Sequence, residues 1–166
     1  MSEKIKLYVD TNMILDIFIN HAKAVKKKEN AMVPKKYEFM LANREKVDFV
    51  TSFIVKAEVG RELASGFGLP VEDIETLWNT FITSLDCKFI NSFTFDDKIS
   101  DFAARSQMKL RTLFNFMHIF IAIGNDCYFV SGDKDLIKKI RILLDYSKAI
   151  DYIEFRKLLE GMPKCA

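Results

Sequence analysis

The stretch I-K-L-Y-V-D-T-N-M-I-L-D-I-F-I-N, residues 5–20, sets the pattern for the chain. Ile5–Val9 is a β-rich run that ends on a carboxylate, Asp10. From Asn12 the apolar residues Ile14, Ile17 and Phe18 recur at the 3.6-residue period of a short helix over residues 12–20.

The alternation continues downstream. The polar residues 21–36 read as a loop, and Pro34, at a first-turn position, leads into a helix that ends near Lys46. Val47–Thr51 is a second strand, after which Ser52 is placed to cap a helix with Ile54, Val55, Val59 and Leu63 on its apolar face. Gly66 or Gly68 stops that helix, and Pro70 opens another carrying Ile74, Leu77, Trp78, Phe81 and Ile82 at core spacing. Residues 87–90 supply a short third strand. Thr94 and Asp97 resemble a capping box at the head of a helix with Ile99, Phe102 and Ala103. Thr112 opens the next helix, which runs through Ile123 to Gly124. Residues 127–130 form a fourth strand, followed by Ser131-Gly132-Asp133 and a helix to about Leu144, then a last short strand and helix over residues 149–159. Such alternation implies right-handed crossovers and predicts the α/β class, a mainly parallel sheet between two helical layers. No repeat, linker or low-complexity tract divides residues 1–166, so one domain is expected.

Composition narrows the function classes. At 166 residues and 49% hydrophobic, the chain can build a core, which excludes wholesale disorder. Apolar runs such as residues 116–123 fall well short of the roughly 20 residues needed to span a bilayer. Met1 is followed by Ser-Glu-Lys with no apolar leader, so a cytoplasmic location is expected. Lys and Arg (25) nearly balance Asp and Glu (23), which excludes a histone-like positive sheath. Cys87, Cys127 and Cys165 are odd in number and widely spaced, suiting reduced thiols better than a disulfide framework. With His21 and His118 they offer no zinc spacing.

Ligands of open α/β sheets gather outside the carboxyl ends of the strands. There the sequence places Asp10-Thr11-Asn12 after strand one, Thr51-Ser52 with Glu58 after strand two, and Ser131-Gly132-Asp133-Lys134-Asp135 after strand four. Asn115 and His118 share one face of the helix before strand four. Each acid has an ordinary explanation: Asp10 as an N-cap, Glu58 as a solvated residue or a partner of Arg61, Asp133 and Asp135 as a cap and a first-turn acid. Three acids at one sheet edge would repel unless a cation joined them, and Mg²⁺ or Mn²⁺ suits oxygen ligands of this kind.

V-D-T-N (residues 9–12), T-S-x-x-x-x-x-E-x-x-R (51–61), N-x-x-H-x-x-x-A (115–122) and F-V-S-G-D-K-D (129–135) resemble, in order and separation, the successive motifs of the PIN-domain family. That resemblance covers about residues 5–145. It implies a Mg²⁺- or Mn²⁺-dependent ribonuclease with a clustered acidic site, as in VapC-like toxins of toxin–antitoxin pairs and in RNA-processing nucleases. An antitoxin partner and a homodimer are implied with it. Asp10 matches the first acid, Glu58 the second and Asp133 the fourth, with Asp135 auxiliary and Thr11, Asn12, Ser52 and Ser131 in support. The third position departs from the family, because Asn115 stands where Asp is usual. An amide oxygen can ligate a cation or position its water but adds no charge.

No covalent protein nucleophile is needed for such hydrolysis. His118, flanked by Phe116, Met117, Ile119 and Phe120, is expected to pack in the core rather than act as a general base. Lys23, Lys26, Lys27 and Lys28 lie in the presumed loop beside the first acidic motif, where they could draw an RNA backbone toward the metal or simply be solvated. Most aromatic residues fall at core spacing, so no base-stacking platform is expected from them. Two other classes compete. A PIN-like module with a weakened site would serve RNA binding or assembly. A haloacid-dehalogenase-like phosphatase would share Asp10, Ser52 and Gly132-Asp133, but Asn12 stands where that chemistry needs a proton-shuttling Asp.

Overall fold

Five strands pair side by side in the order β3-β2-β1-β4-β5, every pair parallel, in a computed structural model that describes residues 4–27, 32–90, 97–106 and 113–162. The strands are β1 (Ile5–Val9), β2 (Val47–Thr51), β3 (Lys88–Phe89), β4 (Tyr128–Val130) and β5 (Ala149–Ile150). Eight helices among the described residues flank them: α1 (Thr11–Lys27), α2 (Lys35–Ala42), α3 (Phe53–Phe67), α4 (Val71–Ser84), α5 (Asp97–Ser106), α6 (Leu113–Gly124), α7 (Lys134–Leu143) and α8 (Tyr152–Glu160). The architecture is the three-layer α/β/α fold expected from the alternation. Its strands read as near-continuous apolar runs because a parallel sheet is covered on both faces. Leu7, Tyr8, Val9, Phe49, Val50, Phe129 and Val130 are all buried.

Local chemistry explains most element ends. The Ser52 hydroxyl accepts from the Val55 N–H at 3.4 Å, and the Asp133 carboxylate accepts from the Leu136 N–H at 2.9 Å, so both act as N-caps. Pro34 and Pro70 precede α2 and α4 in extended conformation. Gly68, not Gly66, ends α3, because the closing residue adopts a left-handed φ of 66°. Asp86, Asp126 and Asp145 take positive φ in the short returns after α4, α6 and α7, a conformation Asp tolerates better than most residues. Thr94 and Thr112 lie outside the described residues, as does the side chain of Asp97.

Two helices differ from their expectations. Residues 21–27 are not a loop: α1 continues through them to Lys27, and Ala22 and Ala24 are buried. Ala22 extends the Ile14–Phe18 stripe by four residues, while Lys23 and Lys27 remain exposed. Ala and Lys are both good helix formers, and their alternation hides an amphipathic helix inside a segment that composition marks as polar. α2 also ends earlier than expected, at Ala42, with a turn leading into β2.

Cys87 and Cys127 are free, buried thiols, and Cys165 lies outside the described residues. Among the described residues, no helix is long and apolar enough to cross a membrane.

Candidate active site

The strand order puts β1 at the centre, with the chain leaving it toward β2 and β3 on one side and toward β4 and β5 on the other. The gap beyond the carboxyl ends of β1 and β4 is therefore the switch point at which an open α/β sheet offers a crevice. Asp10 directly follows β1 at this place. It is 3% exposed and accepts hydrogen bonds from the Thr11 N–H at 2.8 Å, the Ser131 hydroxyl at 2.7 Å and the Asn12 amide at 3.4 Å. Ser131 follows β4, so its bond to Asp10 crosses the switch point. Its oxygen also accepts the Asp133 N–H at 3.1 Å.

Thr11 links this carboxylate to the second one. Its N–H donates to Asp10 while its hydroxyl donates to Glu58 Oε2 on α3. The same oxygen of Glu58 lies 2.7 Å from His118 Nε2 on α6. His118 Nδ1 is 2.8 Å from the Tyr8 hydroxyl, which is 2.7 Å from the Ser52 hydroxyl. Donor bookkeeping orders the row. A carboxylate only accepts, so Nε2 carries the hydrogen facing Glu58. In neutral His118, Nδ1 then accepts from Tyr8. Ser52 already accepts from Val55 N–H and is free to donate its own hydrogen to Tyr8.

Burial and these bonds set the two carboxyls in opposite directions. Desolvation pushes the Asp10 carboxyl above its ordinary range, against the opposing effects of His118, Ser131 and Thr11, and the nearby Glu58 adds to the rise. Desolvation also pushes Glu58 upward, but the bonds from His118 and Thr11 more than reverse it and leave Glu58 below the ordinary range. Burial raises the Tyr8 hydroxyl far above its usual value, so Tyr8 stays a neutral donor.

The structure does not gather all the expected acids into a cage. Asp133 is exposed and spends a carboxylate oxygen capping α7, and Asp135 is exposed in the first turn of that helix. Among the described residues, no three His, Cys, Asp or Glu side chains are grouped so as to hold a metal ion. Of the four expected ligands, Asp10 is buried, Glu58 is half-buried beside it, and Asp133 and Asp135 are exposed, with Asp133 on the rim. Asp133 lines a groove of about 440 Å³ together with Asn12, Asp16 and Gly132. Asn115 is half-buried one turn before His118, and no hydrogen bond joins it to either acid. The donor set fits a hard cation that takes one or two carboxylates and completes its shell with water and phosphate oxygens, and does not fit a closed protein cage.

His118 is the residue whose role changes most. It is fully buried, as a packing residue would be, yet both ring nitrogens are engaged by partners 60 and 110 residues away. Tyr8 was not singled out in the sequence at all. The available signal is its position two residues before Asp10, the period at which extended backbone points side chains to the same side. Asn12 bonds to Asp10 instead of shuttling a proton, and Asp10 has both oxygens occupied and little exposure. Both features disfavour a phosphatase that uses Asp10 as a free nucleophile.

Two of the lysines expected to guide RNA, Lys23 and Lys27, are carried away from this edge. α1 starts at Thr11, so a rise of 1.5 Å per residue sets Lys23 and Lys27 about 18 and 24 Å along the helix from the acids. The Lys26 side chain and Lys28 lie outside the described residues. Replacing Lys23 and Lys27 by Ala is expected to flatten the salt dependence of binding for an RNA of about 20 nucleotides and to leave one of about four nucleotides unchanged. Equal slopes for the long RNA in variant and wild type would make these lysines solvated surface.

No protein-family model and no curated protein matches the chain. In fold the chain is similar to the crystal structure of PAE2754 from Pyrobaculum aerophilum, with 16% identity and a TM-score of 0.57, over 95% of this chain and 97% of that one. At that identity the likeness speaks for the three-layer architecture alone.

Proposed function

We propose that this protein is a Mg²⁺- or Mn²⁺-dependent ribonuclease of PIN-like type. The observation that carries the reading is the pair Asp10 and Glu58, bridged by Thr11 at the switch point of the parallel sheet. A buried carboxylate whose ionised form is disfavoured, beside a second one held ionised, is an arrangement that a divalent cation would stabilise. Asp10 and Glu58 would hold that cation, with Asp133 at the rim. When bound, such a cation activates water and offsets charge on a phosphodiester. Ser131 and Thr11 fix the orientation of the two carboxylates, and His118 holds Glu58 from the α6 side. In this reading the work is cytoplasmic RNA cleavage, either as the toxin of a toxin–antitoxin pair, in which an antitoxin covers a homodimer, or as an RNA-processing enzyme.

The test is cleavage of single-stranded RNA by the purified protein with Mn²⁺ and its loss in EDTA. RNA left intact under both conditions sinks the enzymatic reading. One observation favours a second reading, a PIN-like RNA-binding or assembly module: Asn115 brings no charge, and among the described residues no three acids are grouped. Asn115→Asp separates the two. If Asn115 borders the cation position, the added carboxylate tightens Mn²⁺ binding but destabilises the metal-free protein through like-charge repulsion. Melts with Mn²⁺ and with EDTA then move in opposite directions relative to wild type. Equal shifts in both place Asn115 outside the site.

A further inference from the structure

Five of the large apolar side chains exposed among the described residues are aliphatic: Met32, Val33, Val71, Ile142 and Ile153. The two aromatic ones, Phe53 and Phe114, are 58% and 48% exposed. Both occupy the first turn of a helix that contributes to the acidic edge. Phe53 opens α3, directly after the Ser52 cap that touches Tyr8, and α3 carries Glu58. Phe114 is the second residue of α6, four residues before His118, hence on the same helix face one turn nearer the helix start. β2 and β3 end at this edge too, and Phe89, the last residue of β3, meets Phe53 with ring centroids 5.0 Å apart and planes at 31°. Phe89 in turn lies 6.2 Å from the buried Trp78. The Phe53 ring is thus anchored on one side to the core while much of its surface stays in water.

We propose that Phe114 and the Phe53–Phe89 pair are stacking surfaces for unpaired bases of a single-stranded polynucleotide whose backbone crosses the Asp10–Glu58 edge; the inference rests on the nuclease reading for the place of the phosphate. Aromatic rings on the two helices that flank a carboxylate pair suit a ligand that alternates π faces with phosphates. A protein partner instead needs a contiguous apolar patch, whereas the exposed Asn12 and Asp133 and the half-buried Glu58 stand at these strand ends. Stacking accepts any base and requires it to be unpaired, so the chemistry selects single strands over duplexes and does not distinguish RNA from DNA.

The experiment measures fluorescence anisotropy of the full chain, in EDTA, with a labelled oligoadenylate of about 12 nucleotides as RNA, as DNA, and paired to its complement. Both single strands are expected to bind and the duplex to bind at least tenfold more weakly. Phe53→Leu and Phe114→Leu, which keep apolar bulk without a π face, should each weaken single-strand binding about 5- to 100-fold. Phe53→Trp should restore it, and its emission should be quenched by the oligonucleotide. Wild-type affinity in both Leu variants, equal affinity for the duplex, or no single-strand binding by the wild type overturns the proposal; in the last case the exposed rings suit a protein partner. Cleavage plays no part in this measurement. Binding that depends on the rings, with RNA left intact in Mn²⁺, would remove the nuclease and keep the platform, whereas cleavage with unchanged KM in both Leu variants would do the reverse.

Discussion

Asp10→Asn is expected to abolish metal-dependent RNA cleavage and, at neutral pH in EDTA, to raise the melting temperature. The loss follows from removing the buried carboxylate of the pair. Partners that only orient a metal ligand already cost about 10–100-fold, so a fall beyond about 100-fold is expected for the ligand itself. The gain in stability follows from burial. Folding raises the Asp10 carboxyl pKa above its unfolded value of about 3.9, so between the two values the folded chain holds the proton that the unfolded chain has released. Stability of the metal-free protein therefore falls as pH rises from about 4 through the folded-state pKa and stays lower above it. Asn keeps an oxygen for the Thr11 N–H and carries no charge, so the variant escapes that fall. Glu58 acts in the opposite sense, since its lowered pKa adds stability above about 4.3 that is lost on acidification, but both proteins share this. The difference in melting temperature should therefore widen as pH rises, with a sensitivity of about 2–4 °C per kcal/mol for a chain of this size. Melts from pH 3 to pH 8 in EDTA check the sign. A variant less stable than wild type at pH 7, or one that still cleaves, would remove Asp10 from its assigned place.

His118 should divide into two separable jobs. His118→Leu removes a hydrogen bond to a carboxylate and one to the buried Tyr8 hydroxyl, together about 2–4 kcal/mol. At the sensitivity given above, that is a fall in melting temperature of roughly 5–15 °C. It also frees Glu58 on its α6 side, so Mn²⁺ binding should weaken about 10–100-fold. His118→Gln can still offer an N–H where Nε2 stood and should hold Glu58 while losing the Tyr8 contact. His118→Asn reaches only the Tyr8 side. Manganese affinity is therefore expected to survive in the Gln variant and drop in the Asn variant, with both less stable than wild type. Identical affinities in the two would reduce His118 to a core residue with no bearing on the carboxylate.

Features governed by contacts within a few residues were legible before any coordinates. Ser52, Asp133 and the prolines at 34 and 70 mark helix starts because capping and φ restriction act over one turn. The strands could be recognised because burial on both faces leaves continuous apolar runs. The continuation of α1 was not legible, since Ala22 and Ala24 are weakly hydrophobic and only their packed position reveals which side of the helix faces the core. Three further features needed the assembled chain. The strand order makes the β1–β4 gap the switch point, and no local pattern encodes which strands become neighbours. The place of Asp133, exposed in the groove with Asn12 and Asp16 and not grouped with Asp10 and Glu58, follows from how β4 packs beside β1. The row Ser52–Tyr8–His118–Glu58–Thr11 joins four elements, and its members look like unrelated core, cap and surface residues until packing brings them within hydrogen-bond distance. Periodicity likewise assigns Phe53 and Phe114 to apolar helices but cannot say that each stands at the helix end that meets solvent. Backbone preferences and burial patterns act over a few residues and so can be read along the chain, whereas a site built across strand ends depends on contacts between residues as far as 121 positions apart, which exist only after folding.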